Sequence, residues 1–241
     1  MTAAMHLLGA KPATWTPASL PNLALWLDAA DAATITASSG LVSQWSDKSA
    51  NANHVTASGT ARPTTGANTQ NGRNVLTFDG SSNVLVSGAS IQDATITMYV
   101  ACKPTADQSA CPLFIGPRTS SGLTVGPYID SSGIRDYPGS RVLGTGTWGT
   151  TNKVVLIGSV SGTSVPLRAR LNSTLYTTST GNNSASTPAS TDRVTVGSLS
   201  RTSNPFYFSG RIFEVAIFTD QHTTATIDLM FDYFAAKWGT T

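Results

Sequence analysis

Charge is scarce in this chain. Asp, Glu, Lys and Arg make up 12% of its 241 residues, about half the usual share. The formal net charge is +2, too small to support binding to a nucleic-acid backbone or an anionic membrane surface. Glu214 is the only glutamate. Retaining glycosidases need two carboxylates about 5 Å apart. The E-x-D-x-x-E strand that carries them in glucanases is absent, because no aspartate stands two residues after Glu214. His6, His54 and His222 stand alone, so no Cys/His pair has zinc-ligand spacing. Neither a G-x-S-x-G motif nor a glycine-rich phosphate loop occurs. Apolar runs stay far below the ~20 residues of a membrane span. Residues 1–14 lack the basic start and apolar stretch of a secretory signal. These absences predict a chain that is not an enzyme and that is made in the cytoplasm.

Cysteine is nearly absent too. Cys102 and Cys111 flank the loop 103–110. Two readings stand open: a short disulfide across that loop, or two unlinked thiols packed as small apolar side chains.

Hydrophobic residues, by contrast, reach 40%, enough to build a core. The length suits one large all-β domain. Arg outnumbers Lys ten to five, which suits interfaces. Residues 1–17 read as an extended arm, with 18–241 as the domain. On the arm, His6, Leu7, Leu8 and Trp15 are expected to be buried against a partner or symmetry mate. Strands are predicted at 23–27 and 41–45, with a loop over 28–40. At 96–102, Ile96, Met98, Val100 and Cys102 alternate with polar or small residues, which predicts a half-buried antiparallel strand. Further strands are read at 113–115, 123–129, 154–160, 193–199 and 206–209. Val165, Leu167, Ala169 and Leu171 point one way and Arg168 and Arg170 the other, before Asn172-Ser173 turns the chain back into 174–178. The run 212–218 is apolar on both faces except at Glu214, so it is covered on both sides. Within it Glu214 reads as a buried carboxylate satisfied by a hydroxyl or an Arg.

One helix is predicted near the end. Ile227, Met230, Phe231, Phe234 and Trp238 recur at three- and four-residue spacing. Thr223 or Thr224 caps its start, Lys237 suits its C-terminal dipole, and Gly239 stops it. Roughly a dozen short strands with one terminal helix fit an all-β, two-sheet antiparallel jelly-roll sandwich.

The stretch 45–85 organises the rest. Asp79-Gly80-Ser81-Ser82-Asn83 separates the apolar runs 75–78 and 84–86, which predicts a tight hairpin. Before it, Asp47, Ser49, Asn51 and Asn53 place an oxygen-bearing side chain at every second position. That pattern suits an Asx-type loop held by its own side chains, or a set of hard oxygen ligands for calcium. Sugar-binding chemistry needs aromatic platforms beside amide, carboxylate or guanidinium groups. Tyr128, Asp130, Arg135, Tyr137 and Trp148 offer it; alternatively Tyr137 and Trp148 only pin a long loop.

Several motifs together resemble the laminin G-like branch of the concanavalin A-like lectin/glucanase family, as found in phage virion proteins and bacterial surface proteins. They are L-W-L-D-A-A-D from Leu25, V-S-Q-W-S-D-K-S from Val42, Asn53-His54, Arg62-Pro63, V-L-T-F-D-G from Val75, G-R-I-F-E-V-A-I-F from Gly210 and A-A-K-W-G from Ala235. The resemblance implies a concanavalin A-like sandwich acting as a structural or decoration protein on a virion exterior. Capsid or tail proteins and further copies of the chain would be its partners. The alternative it implies is a carbohydrate-binding or host-receptor-binding module that recognises a cell-surface glycan. One departure stands out. Ala50 and Ala52 occupy positions where such sequences often have Gly, so a positive φ at either would be strained.

Overall fold

The computed structural model describes residues 15–105, 111–117, 125–130, 133–137, 142–143, 155–160, 167–177, 187–199 and 206–239. His6, Leu7, Leu8, Trp148 and Val165 lie outside the described residues. In chain order the strands are β1 (Leu23–Asp28), β2 (Ile35–Ser38), β3 (Leu41–Trp45), β4 (Val55–Thr56), β5 (Thr64–Gln70), β6 (Arg73–Asp79), β7 (Leu85–Ser87), β8 (Thr97–Pro104), β9 (Leu113–Gly116), β10 (Gly126–Asp130), β11 (Gly133–Tyr137), β12 (Val142–Leu143), β13 (Val155–Val160), β14 (Arg168–Leu171), β15 (Thr174–Thr177), β16 (Arg193–Val196) and β17 (Ser209–Phe218). The helix α1 (Thr224–Trp238) follows.

Among the described residues the protein is mostly β, with one α-helix, which follows the last of these strands. Its main sheet is antiparallel and continuous, in the order β15-β14-β13-β8-β17-β6-β5-β3-β4-β7-β16-β9. It curls: Leu76, Met98, Val100, Ile212 and Val215 from one half share a core with Val42, Trp45, Val55, Leu85, Val194 and Leu113 from the other. The two sheets expected from the strand pattern are thus two halves of one ladder. A small sheet, β10-β11-β12, sits beside β9.

β17 is the hub. One edge pairs with β8 throughout, and the other with β6 at Ser209–Ile212 and then with β1 at Glu214–Phe218. The pairing slips between Ile212 and Glu214. This irregularity turns Phe213 and Glu214, although adjacent, toward the same layer, since both meet α1 residues. The strand is covered on both faces, as its composition requires.

Beneath α1 lies a second cluster. Tyr99, Ala101, Phe213, Ala216 and Phe218 of the sheet meet Ile227, Met230, Phe231, Phe234 and Trp238 of the helix. All five residues of the predicted helical stripe are fully buried. Thr223 caps the start through Thr226 N, and Gly239 ends the helix at φ 68. This layer corrects the reading of β8. Its second face is no half-exposed surface, because Tyr99 and Ala101 are buried under the helix and Thr97 against the segment before it, at Asp220 and His222. Arg168 and Arg170 do face away from Leu167, Ala169 and Leu171, and they reach the helix carboxylates Asp228 (2.6 Å) and Asp232 (2.9 Å).

A second correction concerns the stretch 75–86. β6 and β7 do not pair: β6 bonds β5 and β17, whereas β7 bonds β4 and β16. The Asp79–Asn83 turn instead carries the chain from one half of the sheet to the other. Its Asp79 carboxylate accepts from Ser81 N, Ser82 N, Asn83 N and both serine hydroxyls at 2.6–3.0 Å. These donors hold the Asp79 carboxyl well below its ordinary range, against the effect of burial. The true hairpin is β5–β6, closed by Asn71-Gly72 at φ 48 and 69, the turn chemistry that matches strand twist. β2, expected as loop, pairs with β3.

Candidate functional site

The β10–β11 hairpin pairs Tyr128 with Arg135 and Asp130 with Gly133. Cross-strand partners share a face, and so do residues two apart. Tyr128, Asp130 and Arg135 therefore stand on one face of the ribbon, and all three are half-buried. On the other face Ile129 and Ile134 enter the main core. The ribbon is fixed at its base by Gly126. A Cβ there would meet Leu113 O at 2.5 Å and Phe114 Cα at 2.9 Å, so only glycine lets β10 lie this close to β9.

On the Tyr128 face a small cluster of Cys111, Phe114 and Leu199 supports two partly buried rings, Tyr128 and Phe206. These rings meet edge to face, with centroids 5.6 Å apart. Beside them Arg135 Nε lies 3.0 Å from Asp130 Oδ2. The contact is an ion pair bent away from a straight hydrogen bond, since Nε has no in-line acceptor. The arrangement is an aromatic platform next to paired acceptor and donor groups. Three of the five sugar-binding candidates thus come together. Tyr137 is in register with Gly126 on the same hairpin, and Trp148 lies outside the described residues. Phe206 carries no local sequence signal. The Ser198–Tyr207 bridge brings it to the site. A cleft of about 340 Å³ beside the β4–β7 pair, lined by residues such as Thr56, Ser58, Val86 and Ser87, has no aromatic or charged wall among its lining residues and lacks this chemistry.

The 47–53 run is a closed polar loop. Asp47 Oδ1 accepts from Trp26 N and Ser49 N (both 2.8 Å), and Oδ2 accepts from Ser49 Oγ (2.7 Å) and Asn53 N (2.9 Å). Asn51 and Asn53 donate their amides to Leu23 O and Ala24 O at 2.8 and 2.9 Å. His54 Nδ1 accepts from Asp47 N at 3.0 Å. As calcium ligands Asp47, Ser49, Asn51 and Asn53 do not fit. The carboxylate is surrounded by donors, and the amides present N–H to carbonyls. The geometry is that of an Asx-type loop. Ala52 within it has φ 54, so the departure from glycine is strained. Ala52→Gly is expected to raise stability by about 1 kcal/mol, read as a higher urea midpoint at unchanged slope. A lower midpoint would mean the loop relaxes around Ala.

Glu214 is fully buried and satisfied four times. Oε1 accepts from Trp26 Nε1 (2.7 Å) and the Tyr233 hydroxyl (2.8 Å), and Oε2 from Trp238 Nε1 and Lys237 Nζ (both 2.8 Å). A hydroxyl was expected among the partners; the cation is Lys237 instead of an Arg. Lys237 also meets Asp28 Oδ1 at 2.7 Å, and Lys48 links Asp28 to Asp31. Burial pushes the Glu214 carboxyl above its ordinary value, and Lys237 pulls it back. Trp15, expected on a partner, packs on its own chain against Tyr233 at 5.7 Å. The two cysteines are unlinked and buried, in different clusters; burial pushes the Cys102 thiol up.

No family model matches the chain, and no curated protein does. Solved structures do. An arabinofuranosidase, complexed with arabinofuranosyl-alpha-1,2-xylobiose, matches at TM-score 0.58 and 14% identity, over 82% of this chain and 51% of that one. Domain 4 of an extracellular arabinanase of glycoside hydrolase family 43 from Geobacillus stearothermophilus, in complex with arabinotriose, matches at TM-score 0.56 and 11% identity, over 87% of this chain and 98% of that domain. Trypanosoma rangeli sialidase matches at TM-score 0.55 and 11% identity, over 90% of this chain and 33% of that one. The chain spans about half the length of the arabinofuranosidase and a third of the sialidase. At these identities the likeness is one of fold, and the fold recurs in carbohydrate-active proteins. The expectation that the chain is not an enzyme does not stand. It rested on missing sequence motifs, the glucanase carboxylates first among them, whereas these structural matches come from glycoside hydrolases.

Proposed function

We propose that this chain is a glycan-binding domain on a concanavalin A-like sandwich, with its site on the outer face of the β10–β11 hairpin. The observation that carries the reading is the convergence of Tyr128, Asp130 and Arg135 on that face, with the Phe206 ring beside them. Tyr128 offers a ring for a sugar's apolar face. Asp130 accepts from sugar hydroxyls and Arg135 donates to them. Support comes from the arabinanase domain, which matches almost end to end and is described in complex with arabinotriose. A place on a virion, the first expectation from the resemblance, gains no support from these matches.

The test is titration calorimetry with arabino-oligosaccharides and sialylated oligosaccharides. Tyr128→Ala is expected to weaken the best of them about tenfold, about 1.4 kcal/mol, without changing the thermal midpoint. Undiminished binding by both Tyr128→Ala and Arg135→Ala would remove the site from this hairpin.

A further inference from the structure

Asp, Glu, Lys and Arg are scarce in this chain, yet two of them stand together on the outer face of the β10–β11 hairpin. Across the ladder Asp130 is opposite Gly133, and Arg135 is opposite Tyr128. Gly133 brings no side chain to that position, so Arg135 reaches diagonally past it to Asp130. Nε then lies 3.0 Å from Oδ2, with both side chains half-buried. The Tyr128 and Phe206 rings lie beside them. The pair sets a negative and a positive group side by side, and by itself it carries no net charge.

A sugar hydroxyl both donates and accepts. Two hydroxyls on neighbouring ring carbons can therefore engage the pair together, one donating to the carboxylate and the other accepting from the guanidinium. Both bonds are charge-assisted, and such bonds are about twice as strong as neutral ones. The C–H face of the same ring is then available to Tyr128. A sugar carrying a carboxylate fares differently. Its anion meets a cation already held by Asp130 and stands close to that like charge, so attraction and repulsion largely offset. The cost of taking water from the incoming carboxylate remains.

On the reading of this face as the glycan site, we infer that the Asp130–Arg135 pair is its specificity element. It admits neutral sugars through a vicinal diol and turns away sugars that carry a carboxylate. Titration calorimetry of the full chain tests it with two sets of ligands. Arabinotriose and neutral galacto-oligosaccharides form one set; galacturonic-acid oligomers and sialyllactose form the other. The tightest neutral ligand is expected to bind at least about tenfold better than any acidic one. Asp130→Asn keeps the shape and removes the negative charge. It is expected to weaken the neutral ligand about tenfold and to strengthen the acidic ones by as much, a gain that raised salt abolishes. Arg135→Gln is expected to weaken the neutral ligand without admitting the acidic ones. Acidic sugars bound as tightly as neutral ones by the wild type, and lost in Tyr128→Ala, would overturn the inference and leave the site in place. An Asp130→Asn variant that folds but gains no acidic binding would do the same. Binding of neither set, or binding that Tyr128→Ala and Arg135→Ala leave undiminished, would overturn the site and this inference with it.

Discussion

Replacing Lys237 with methionine is expected to cost about 3–5 kcal/mol of folding free energy at neutral pH. Its ammonium lies 2.8 Å from Glu214 and 2.7 Å from Asp28. Glu214 is fully buried, and the Asp28 side chain is only 6% exposed. Methionine keeps the stem and removes the charge, so two buried carboxylates face each other with one cation lost. The pH dependence follows from the direction of the Glu214 shift. Its folded value already lies above the ordinary 4.5, and without Lys237 burial pushes it further up. Between 4.5 and that folded value the native state binds more protons than the unfolded one, so stability falls as pH rises through the window. The deficit against wild type should be largest at neutral pH and shrink as pH is lowered toward 4.5. Urea midpoints at both ends of the range decide it. A deficit equal at both would show that Lys237 acts through packing alone.

Phe234→Ala is expected to cost a similar 3–5 kcal/mol. Phe234 is fully buried between the helix and β8, with its ring 6.5 Å from Tyr99 and 5.4 Å from Tyr233. Removing it leaves a cavity under the helix that carries Lys237, so the two substitutions should be less than additive. An unchanged urea midpoint would make α1 a peripheral appendage. The helix is also what converts an ordinary two-faced strand into one buried on both sides.

Those two elements show where sequence and structure part. The helix was legible from spacing, cap and stop, because each acts within a few residues. The alternation of β8 was legible too, but its exposure was not, since the covering helix is distant in sequence. β5 reads T-T-G-A-N-T-Q and sits largely exposed, so it lacks the apolar alternation that marks a half-buried strand. Asp79-Gly80 looked like the hairpin turn because turn chemistry says nothing of which strands it joins, while Asn71-Gly72 held the real one. At the candidate site, Tyr128, Asp130 and Arg135 could be picked out by their chemistry, but the β10–β11 hairpin that gathers them was read as a strand end and a long loop. Phe206, and the indoles of Trp26 and Trp238 around Glu214, reach their places only through long-range pairing.

The hub position of β17 bears on how the chain acquires its fold as it is synthesised. β1, β6 and β8 all bond to β17, yet among the described strands β17 is made last. Until residues 209–218 appear, the strands that will flank it have no central partner, and the Trp26 indole has no Glu214 to meet. Early segments must therefore wait with apolar edges open, the situation that slows folding and favours chaperone capture. Completion is a late event: the segment 209–218 closes the ladder, brings in the carboxylate, and is sealed by the helix that follows it.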